Sequence, residues 1–581
     1  MRRERRTAYW MAAPALISVL AIVVYPLTFA TYYSLRDVRP NLVGGFVGLS
    51  NYARAVNDPG FIGALSTTLL FTAASAGLSF LAGLGLALVL SRPFAGRAAV
   101  AAAVFLPWVF PMVVTAAFGR LALEDGGPVQ SFLGYLGLWN GGPLLGNSGA
   151  LLFSSVLVDA WRSTPFVALL LLAGMRTIPK DIYEAASVEG ADSLQKFFQI
   201  TLPLLRPTIM IVLLIRLLDA FRVQDLFLVM GGQQLESLSI YVYQNVLLSQ
   251  INFGLGSAAA VFVFACALSL ALLFTVVLKA QLPTGLGRSG IQNVMDEAAG
   301  RVYVRQSFPT TTVGALLTVL FLAPLAWVFW VSVTPSPGAS GGSSGGSATS
   351  LSLVLYPLIL SNGNILAGLA NSGVIVTLTT LFTLLLACPA AYAIARLGFR
   401  HGNGLLSVML AAAFFPPAAV LVPMLVQLRE LGVIGTQLGA IFPDIVFFTP
   451  FAVWLLATFF QELPVEIEDA ARVDGAGRLQ VLTQMILPLA APAMFATGAF
   501  VFVLSWNEFV FASTFTFGAS RPITVVLADF VASLGFGVPA APLAAASLIA
   551  TLPPMLLFLA FRRRILSGLT GDAFARSWKV R

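Results

Sequence analysis

Residues 179–207 read PKDIYEAASVEGADSLQKFFQITLPLLRP, and residues 464–492 read PVEIEDAARVDGAGRLQVLTQMILPLAAP. The two stretches lie 285 positions apart, and 14 of their 29 positions are identical without a gap. Each is polar and lies between long apolar runs. Both contain an acid followed by two alanines, a glycine six positions after the acid, and Leu-Pro twelve positions after that glycine. The chain therefore contains an internal repeat.

The composition is that of a membrane protein. Hydrophobic residues make up 58% of the 581 residues, charged residues make up 10%, and the mean hydropathy is +0.89; a soluble protein carries roughly 25% charged residues. Apolar stretches long enough to cross a hydrocarbon core of about 30 Å recur along the chain. Because a segment in lipid must satisfy its own backbone hydrogen bonds, these stretches predict helices. We expect an all-α integral membrane protein with about twelve transmembrane helices, near residues 9–31, 64–90, 99–119, 150–174, 207–230, 256–278, 311–333, 371–395, 404–427, 438–461, 490–512 and 541–561.

The distribution of positive charge predicts the orientation. Most of the 33 lysine and arginine residues fall on one side when the N-terminus is placed in the cytoplasm and the spans alternate. This bias predicts that both termini and both repeated loops are cytoplasmic. Six spans per half make the halves parallel repeats. We predict a first half at 1–280, a cytoplasmic connector at 281–306 and a second half at 307–581, with a flexible, Gly/Ser-rich external loop at 336–350.

The repeated loops resemble the EAA loop of ATP-binding-cassette (ABC) importer permeases. In that family the loop forms a cytoplasmic coupling helix that docks on a separate ATPase subunit. The resemblance implies two parallel six-helix permease halves fused in one chain. The second loop departs from the family pattern, because an aspartate replaces the usual glutamate and shortens its reach. The residues implied in ATPase coupling are Glu184, Ala185, Ala186, Gly190, Leu202, Pro203, Asp469, Ala470, Ala471, Gly475, Leu487 and Pro488.

The sequence contains no G-x-x-x-x-G-K-[ST] phosphate-binding loop. We therefore expect ATP and magnesium to bind to a dimer of partner ATPase subunits, with no cofactor in this chain. One histidine, His401, and two cysteines, Cys266 and Cys388, predict no metal site. No basic patch with interleaved aromatic residues is present, so we expect no nucleic-acid partner. The pattern predicts a transport subunit, not an enzyme.

Other segments resemble permeases of carbohydrate importers of the maltose/trehalose type. The first half is similar to the larger subunit in APALISVLAIVVYPLTFATYYSLRD (13–37), DAWRSTPFVALLLLAGMRTIP (159–179) and RLLDAFRVQDLFLVMGG (216–232). The second half is similar to the smaller subunit in NSGVIVTLTTLFTLLLACPAAYAIARLGFRHGN (371–403) and FVLSWNEFVFASTF (502–515). The resemblance implies uptake of a di- or oligosaccharide, such as a trehalose- or maltose-type α-glucoside. An extracytoplasmic sugar-binding protein would deliver it to the cytoplasmic (inner) membrane of a prokaryote.

The resemblance also implies where the sugar binds. In the family, sugar lies near the membrane midplane on the larger-type subunit, and the matching residues are Trp161, Ser163, Phe166, Asp219, Arg222 and Asp225. Intramembrane charges face a cavity or each other. The charged residues contact sugar hydroxyls or form an Arg–Asp ladder with Arg216, and both interpretations stay open. In the second half, Trp506, Asn507 and Glu508 are candidate gate residues, with core packing or helix capping as the alternative.

Two other transport functions fit part of the pattern. An ion-coupled secondary transporter also has 6+6 spans, but the loop SRPFAGRAAV (91–100) lacks the Asp-Arg signature of the major facilitator family. Such a transporter needs no EAA-like loops. An ABC permease for a non-sugar cargo, such as glycerophosphodiesters, would be favoured by cationic residues lining its cavity.

Overall fold

The computed structural model is almost entirely helical. It describes residues 2–569 except for 21–23, 40–41, 93, 124–126, 138–143, 177, 233, 246–251, 282–307, 335–350, 398–401, 403, 407–408, 410–415 and 535–539. The predicted external loop and almost all of the predicted connector lie outside these residues. The strands described form one antiparallel hairpin of β1 (Arg36–Arg39) and β2 (Leu42–Phe46).

The helices of the first half repeat their order in the second half. The helices of the first half are α1 (Arg2–Val19), α2 (Tyr25–Ser34), α3 (Ser50–Asn57), α4 (Pro59–Ser91), α5 (Arg97–Val109), α6 (Met112–Leu123), α7 (Pro128–Tyr135), α8 (Ser148–Arg176), α9 (Lys180–Val188), α10 (Ser193–Lys196), α11 (Leu202–Phe221), α12 (Asp225–Gly231), α13 (Leu238–Tyr243) and α14 (Phe253–Gln281). Those of the second half are α15 (Phe308–Val333), α16 (Leu355–Leu360), α17 (Gly363–Arg396), α18 (Pro417–Glu430), α19 (Leu438–Glu462), α20 (Val465–Val473), α21 (Arg478–Gln480), α22 (Leu487–Asn507), α23 (Val510–Phe515), α24 (Ile523–Leu534) and α25 (Ala540–Leu569). Short π-helical turns at Phe197–Thr201 and Val481–Ile486 precede α11 and α22.

Nine helical stretches of the described part are long and apolar enough to cross a membrane. They are Pro59–Ser91, Ser148–Met175, Ser193–Phe221, Phe253–Leu270, Thr312–Val333, Gly363–Arg396, Leu438–Gln461, Arg478–Asn507 and Ala540–Ala560. The bent pair α5 and α6 is a tenth candidate. The other two predicted spans, 9–31 and 404–427, include residues outside the described part. The all-α membrane architecture is confirmed.

The predicted span at 99–119 is not one straight helix. Helices α5 and α6 meet at an angle of 95°. Phe110, which precedes Pro111, has the extended backbone (φ −73°, ψ 139°) that proline imposes on the residue before it. The proline therefore ends α5 within an apolar run that looks continuous in the sequence.

Two further predicted spans, 207–230 and 490–512, end early and at matching places. Helix α11 ends at Phe221, and the chain resumes a helix at Asp225. Helix α22 ends at Asn507, and the next helix begins at Val510. Discontinuous helices of this kind expose backbone polar groups at membrane depth, and transporters use them where a cavity is lined.

The closest packing in the first half joins α4 to α8. Asp58 caps α4 by accepting from the Gly60 N–H at 3.0 Å, and proline occupies the first helical position. Within α4, Gly83 is buried, and a β-carbon there would lie 2.5 Å from Cγ1 of Val167 on α8. The missing side chain is therefore what lets the two helices approach.

An aromatic cluster joins the two halves. The ring centroid of Trp108 lies 5.5 Å from that of Phe166 in a stacked arrangement and 5.2 Å from that of Phe500 in the second half. Phe451 continues the contact, 5.9 Å from Phe500. Phe166, one of the candidate sugar residues, thus lies at the contact between the halves.

We expect Gly83→Ala to destabilise the protein, because the new methyl group overlaps Val167. Overpacking of this kind costs about 1–3 kcal/mol. Gly85→Ala on the same helix is the matched control, since nothing lies within 4 Å of the β-carbon it would add. Thermal unfolding in detergent should show a lower Tm for the first variant only; equal Tm values would contradict the close packing.

Candidate functional site

The two repeated loops adopt the same conformation. Helices α9 and α20 each follow a proline, and each is followed by a glycine in the left-handed region, Gly190 at φ +85° and Gly475 at φ +88°. The Gly190 N–H donates to the Ser187 carbonyl at 3.2 Å, and the Ala191 N–H donates to the Ala186 carbonyl at 2.9 Å. This pair of bonds is a Schellman C-cap.

The second loop repeats this cap. There the Gly475 N–H donates to the Arg472 carbonyl at 3.1 Å, and the Ala476 N–H donates to the Ala471 carbonyl at 3.0 Å. A non-glycine residue would be strained at either glycine position, because L-residues rarely adopt a positive φ. The sequence repeat therefore encodes two rigid, identically closed turns.

Each loop presents an exposed apolar and acidic face. Val188 and its repeat counterpart Val473 are 89% and 88% exposed, and Leu194 and Leu479 are also exposed. Glu184 and Asp469, the acids predicted for ATPase coupling, are exposed as well. Solvent-exposed apolar side chains at equivalent positions of a repeat indicate a surface that a partner covers.

The remaining coupling residues lie around this face. Ala185 and Ala470 are exposed, Ala186 is half-buried and Ala471 is buried. The Leu-Pro pairs begin the membrane helices, with Leu202 and Leu487 at the first positions of α11 and α22. Pro203 and Pro488 follow them in the first turn, where proline needs no hydrogen-bond partner. Each loop thus continues directly into a membrane helix.

The second loop is attached to two membrane helices through Arg396, which forms an ion pair and a hydrogen bond that the sequence analysis missed. Arg396, the last residue of α17, lies 3.2 Å (Nε–Oε1) from Glu468 of α20, and both side chains are less than 9% exposed. Tyr392 donates to Glu468 at 3.1 Å, and Arg396 also donates to the Leu463 carbonyl at the end of α19. In the sequence Glu468 stands directly before Asp469, and nothing in the local pattern distinguishes the paired acid from the exposed one.

The first loop is closed differently. Tyr183 occupies the position that corresponds to Glu468, and its hydroxyl lies 2.9 Å from the Thr201 hydroxyl within the same loop. The two coupling helices therefore have the same shape but different attachments.

A polar network lies inside the first half, centred on Arg216. This residue is buried, and its guanidinium donates to Ser75 Oγ at 2.8 Å and to Ser79 Oγ at 3.1 Å, both on α4. It forms a buried ion pair with Asp159 of α8 and a second pair with Asp219 at 2.8 Å. One arginine therefore connects three membrane helices.

Asp219 and Arg222 lie at the open end of this network. Asp219 is 44% exposed, and Arg222 Nη2 lies 3.3 Å from its second carboxylate oxygen. Asp225 does not continue the row, because the helix breaks before it and its carboxylate accepts from the Leu226 N–H at 3.1 Å. The Arg–Asp ladder is therefore present for Arg216, Asp219 and Arg222, and part of it faces an accessible space.

The candidate residues on α8 have different surroundings. Ser163 is buried and donates to Asp159 at 3.4 Å, so it belongs to the Arg216 network. The indole N–H of Trp161 is buried, and the contacts described for it include no acceptor. Asp159 itself was not identified as a site residue from the sequence, although it stands two residues before that tryptophan.

The candidate gate residues surround the break after α22. Trp506 is buried, and its indole N–H donates to the Ala550 carbonyl at 3.2 Å. Asn507 is the last residue of α22. The carboxylate of Glu508 accepts from the Phe511 N–H at 2.7 Å and the Ala512 N–H at 3.0 Å, which caps α23. Asp225 of the first half is close enough to Glu508 to interact electrostatically.

Comparison with known proteins identifies the family. Residues 65–282 and 383–567 each match the family described as binding-protein-dependent transport system inner membrane component. A trehalose transport system permease protein of Mycobacterium tuberculosis is 36% identical over 288 residues, which cover 48% of this chain and 92% of the relative. A trehalose/maltose transport system permease protein of Thermococcus litoralis is 35% identical over 285 residues, covering 47% of this chain and 93% of the relative.

Further relatives widen the range of related permeases. A sulfoquinovosyl glycerol transport system permease protein of Agrobacterium fabrum is 32% identical over 285 residues, covering 48% of this chain and 91% of that protein. A solved bacterial ABC transporter involved in alginate import aligns with a TM-score of 0.42 and 24% identity over 47% of this chain and 94% of that one. With the family domain present twice, the chain belongs to the binding-protein-dependent inner-membrane permeases of ABC importers, and it joins two permease halves in one polypeptide.

Proposed function

We propose that this chain forms the transmembrane pathway for a di- or oligosaccharide, with α-glucosides of the trehalose/maltose type as substrates. ATP hydrolysis on a dimer of separate subunits, docked on α9 and α20, drives the import. An extracytoplasmic sugar-binding protein supplies the substrate, and both termini lie in the cytoplasm. The observation that carries the proposal is the cluster of polar residues at the broken end of α11, where Asp219 stays accessible between two arginines.

The chemistry of this cluster suits a sugar. A carboxylate offers about four lone-pair sites and a guanidinium five N–H donors, so the pairing of Asp219 with Arg216 and Arg222 leaves capacity for hydroxyl groups. The buried indole N–H of Trp161 is a further donor, and Phe166 offers an aromatic surface. A sugar presents hydroxyls and apolar C–H faces, and these groups match both kinds of contact.

The alternative cargo has less support from the site. A phosphodiester needs unpaired positive charge, whereas Arg216 and Arg222 both pair with Asp219. The relatives are named as permeases of transport systems for trehalose, trehalose/maltose or sulfoquinovosyl glycerol, and all of these compounds are glycosides. Both observations support a sugar over a glycerophosphodiester.

The mechanism of coupling follows from the loops. ATP binding brings the two ATPase subunits together, and each moves its coupling helix as a rigid body. Helices α9 and α20 are joined to α11 and α22, respectively, each through a short helix and a π-helical turn, so that motion can reach the helix breaks where the candidate sugar and gate residues lie. Access to the polar cluster then alternates between the two sides of the membrane.

The first test is reconstitution of the chain in nanodiscs with candidate ATPase and binding-protein partners. We expect ATP hydrolysis to be stimulated by the loaded binding protein, with trehalose or maltose as the effective sugar. Val188→Asp and Val473→Asp should each reduce ATPase assembly, because they place a charge in an apolar contact, while Val188→Leu should preserve it. If wild-type protein assembles no ATPase, the proposed coupling is wrong.

The variants Asp159→Asn and Asp219→Asn distinguish a structural role of the acids around Arg216 from a role in sugar binding. Breaking the buried pair should cost about 3–5 kcal/mol, so Asp159→Asn should lower the Tm strongly. Asp219→Asn should leave the Tm nearly unchanged and abolish sugar-stimulated hydrolysis, since its carboxylate is half exposed. A large Tm loss in both variants would assign Asp219 to the ladder alone.

Glu468→Gln tests the anchor of the second coupling helix. We expect a lower Tm and ATP hydrolysis that no longer drives uptake, because the buried Arg396 loses its charged partner and α20 is held less firmly against α17. Glu430→Gln, which removes an exposed acid outside α20, serves as the control. Normal uptake by Glu468→Gln in vesicles would rule out a positioning role.

A further inference from the structure

A small cavity lies in the second half, beside the break that follows α22. Its lining comes from α17, α19, α22, α23, α24 and the residues that connect the last three, and it has room for about one water molecule. The polar groups of its lining belong to Ser372, Asp444, Ser505, Glu508 and Thr524.

Asp444 has a carboxylate oxygen without a partner. Asp444 is only 1% exposed, and its Oδ2 accepts a hydrogen bond from the Ser505 hydroxyl at 2.6 Å. The other oxygen, Oδ1, is buried and has no hydrogen-bond partner. Buried carboxylates are nearly always paired or bound to a cation, because burial removes the hydration of the charge.

The second acid of the cavity, Glu508, already has partners. Its two carboxylate oxygens each accept a backbone N–H group at the start of α23. The lining residues include no lysine, arginine or histidine. Asp225, the further acid that approaches Glu508, adds negative charge, and Arg162 lies beside Asp225 and Asp219.

The hydroxyl groups of the cavity retain lone pairs for a ligand. Ser372 Oγ accepts from the Ile523 N–H at 2.9 Å, and the Thr524 hydroxyl donates to the Glu508 carbonyl at 3.2 Å. Each hydroxyl oxygen carries two lone pairs, so both can still coordinate. Together with Asp444 Oδ1 they place three oxygen atoms on the wall of a small cavity whose other lining residues are largely apolar.

We propose that this cavity binds one sodium ion, with Asp444 Oδ1 as its carboxylate ligand and the hydroxyl oxygens of Ser372 and Thr524 completing the oxygen set. Hard cations take oxygen ligands, and a sodium ion is smaller than the water molecule that the cavity admits. Within the described residues no group of three or more acidic, histidine or cysteine side chains could hold a metal, so a divalent ion is not expected. The bound charge offsets the acids and ties α19 to α17 and α24 next to the gate residue Glu508.

The test is sodium-dependent thermal stability of the purified full-length chain in detergent, at constant ionic strength with choline as the replacement cation. We expect a saturable rise in Tm with sodium, a smaller one with potassium, and binding of radioactive sodium close to a single ion per chain. Asp444→Asn should abolish both effects, while Glu430→Gln, which removes an exposed acid, should preserve them.

Thr524→Val keeps the side-chain shape and should raise the half-saturating sodium concentration by about tenfold or more, which covers the case in which Asp444→Asn does not fold. A wild-type Tm that does not change with sodium, with no bound radioactive sodium, would overturn the proposal. Neither readout requires partner subunits or sugar, so the result is independent of the transport assay.

Discussion

Backbone groups freed at the breaks of α11 and α22 must find partners within an apolar layer, and the polar features of this protein are arranged around that requirement. The Val223 carbonyl accepts the Ser237 hydroxyl at 2.6 Å, and the Glu508 carbonyl, 285 positions later, accepts the Thr524 hydroxyl. In both halves, therefore, a side-chain hydroxyl binds the carbonyl that the helix break leaves free. These hydroxyls and the nearby charged side chains gather at the breaks, where they can also contact a hydrophilic solute.

The halves keep the geometry of the repeat but differ in charge. The first half balances Asp159, Asp219 and Asp225 with arginines, whereas the lining of the second-half cavity contains acids without a basic partner. This division fits a pathway in which one half offers hydrogen-bonding groups to the solute and the other half controls the shape of the gate. The aromatic contact through Trp108 holds the two against each other.

The sequence alone was sufficient for the membrane fold and the repeated loops, because both depend on local patterns: apolar length in one case and glycine and proline spacing in the other. The helix breaks were missed because the charged residues around Val223 and the polar residues at Asn507 were interpreted as side chains within continuous spans, and composition does not report backbone direction. Asp159 and Glu468 were missed for a related reason. Each is a single acid whose role depends on a partner far away in the sequence, Arg216 or Arg396, and no local spacing encodes such a contact.

The unequal attachment of α9 and α20 has a mechanical consequence. Helix α20 is held to α17 by a buried ion pair, and the arginine of that pair also donates to a carbonyl at the end of α19, while α9 is closed by a hydroxyl contact within its own loop. If two identical ATPase subunits dock on α9 and α20 as proposed, they would push on two helices that are attached with different stiffness. The movement of the subunit on α20 would reach the membrane helices almost in full, whereas the movement of the subunit on α9 would partly deform its loop. The two nucleotide sites of a symmetric ATPase dimer would then no longer be kinetically equivalent.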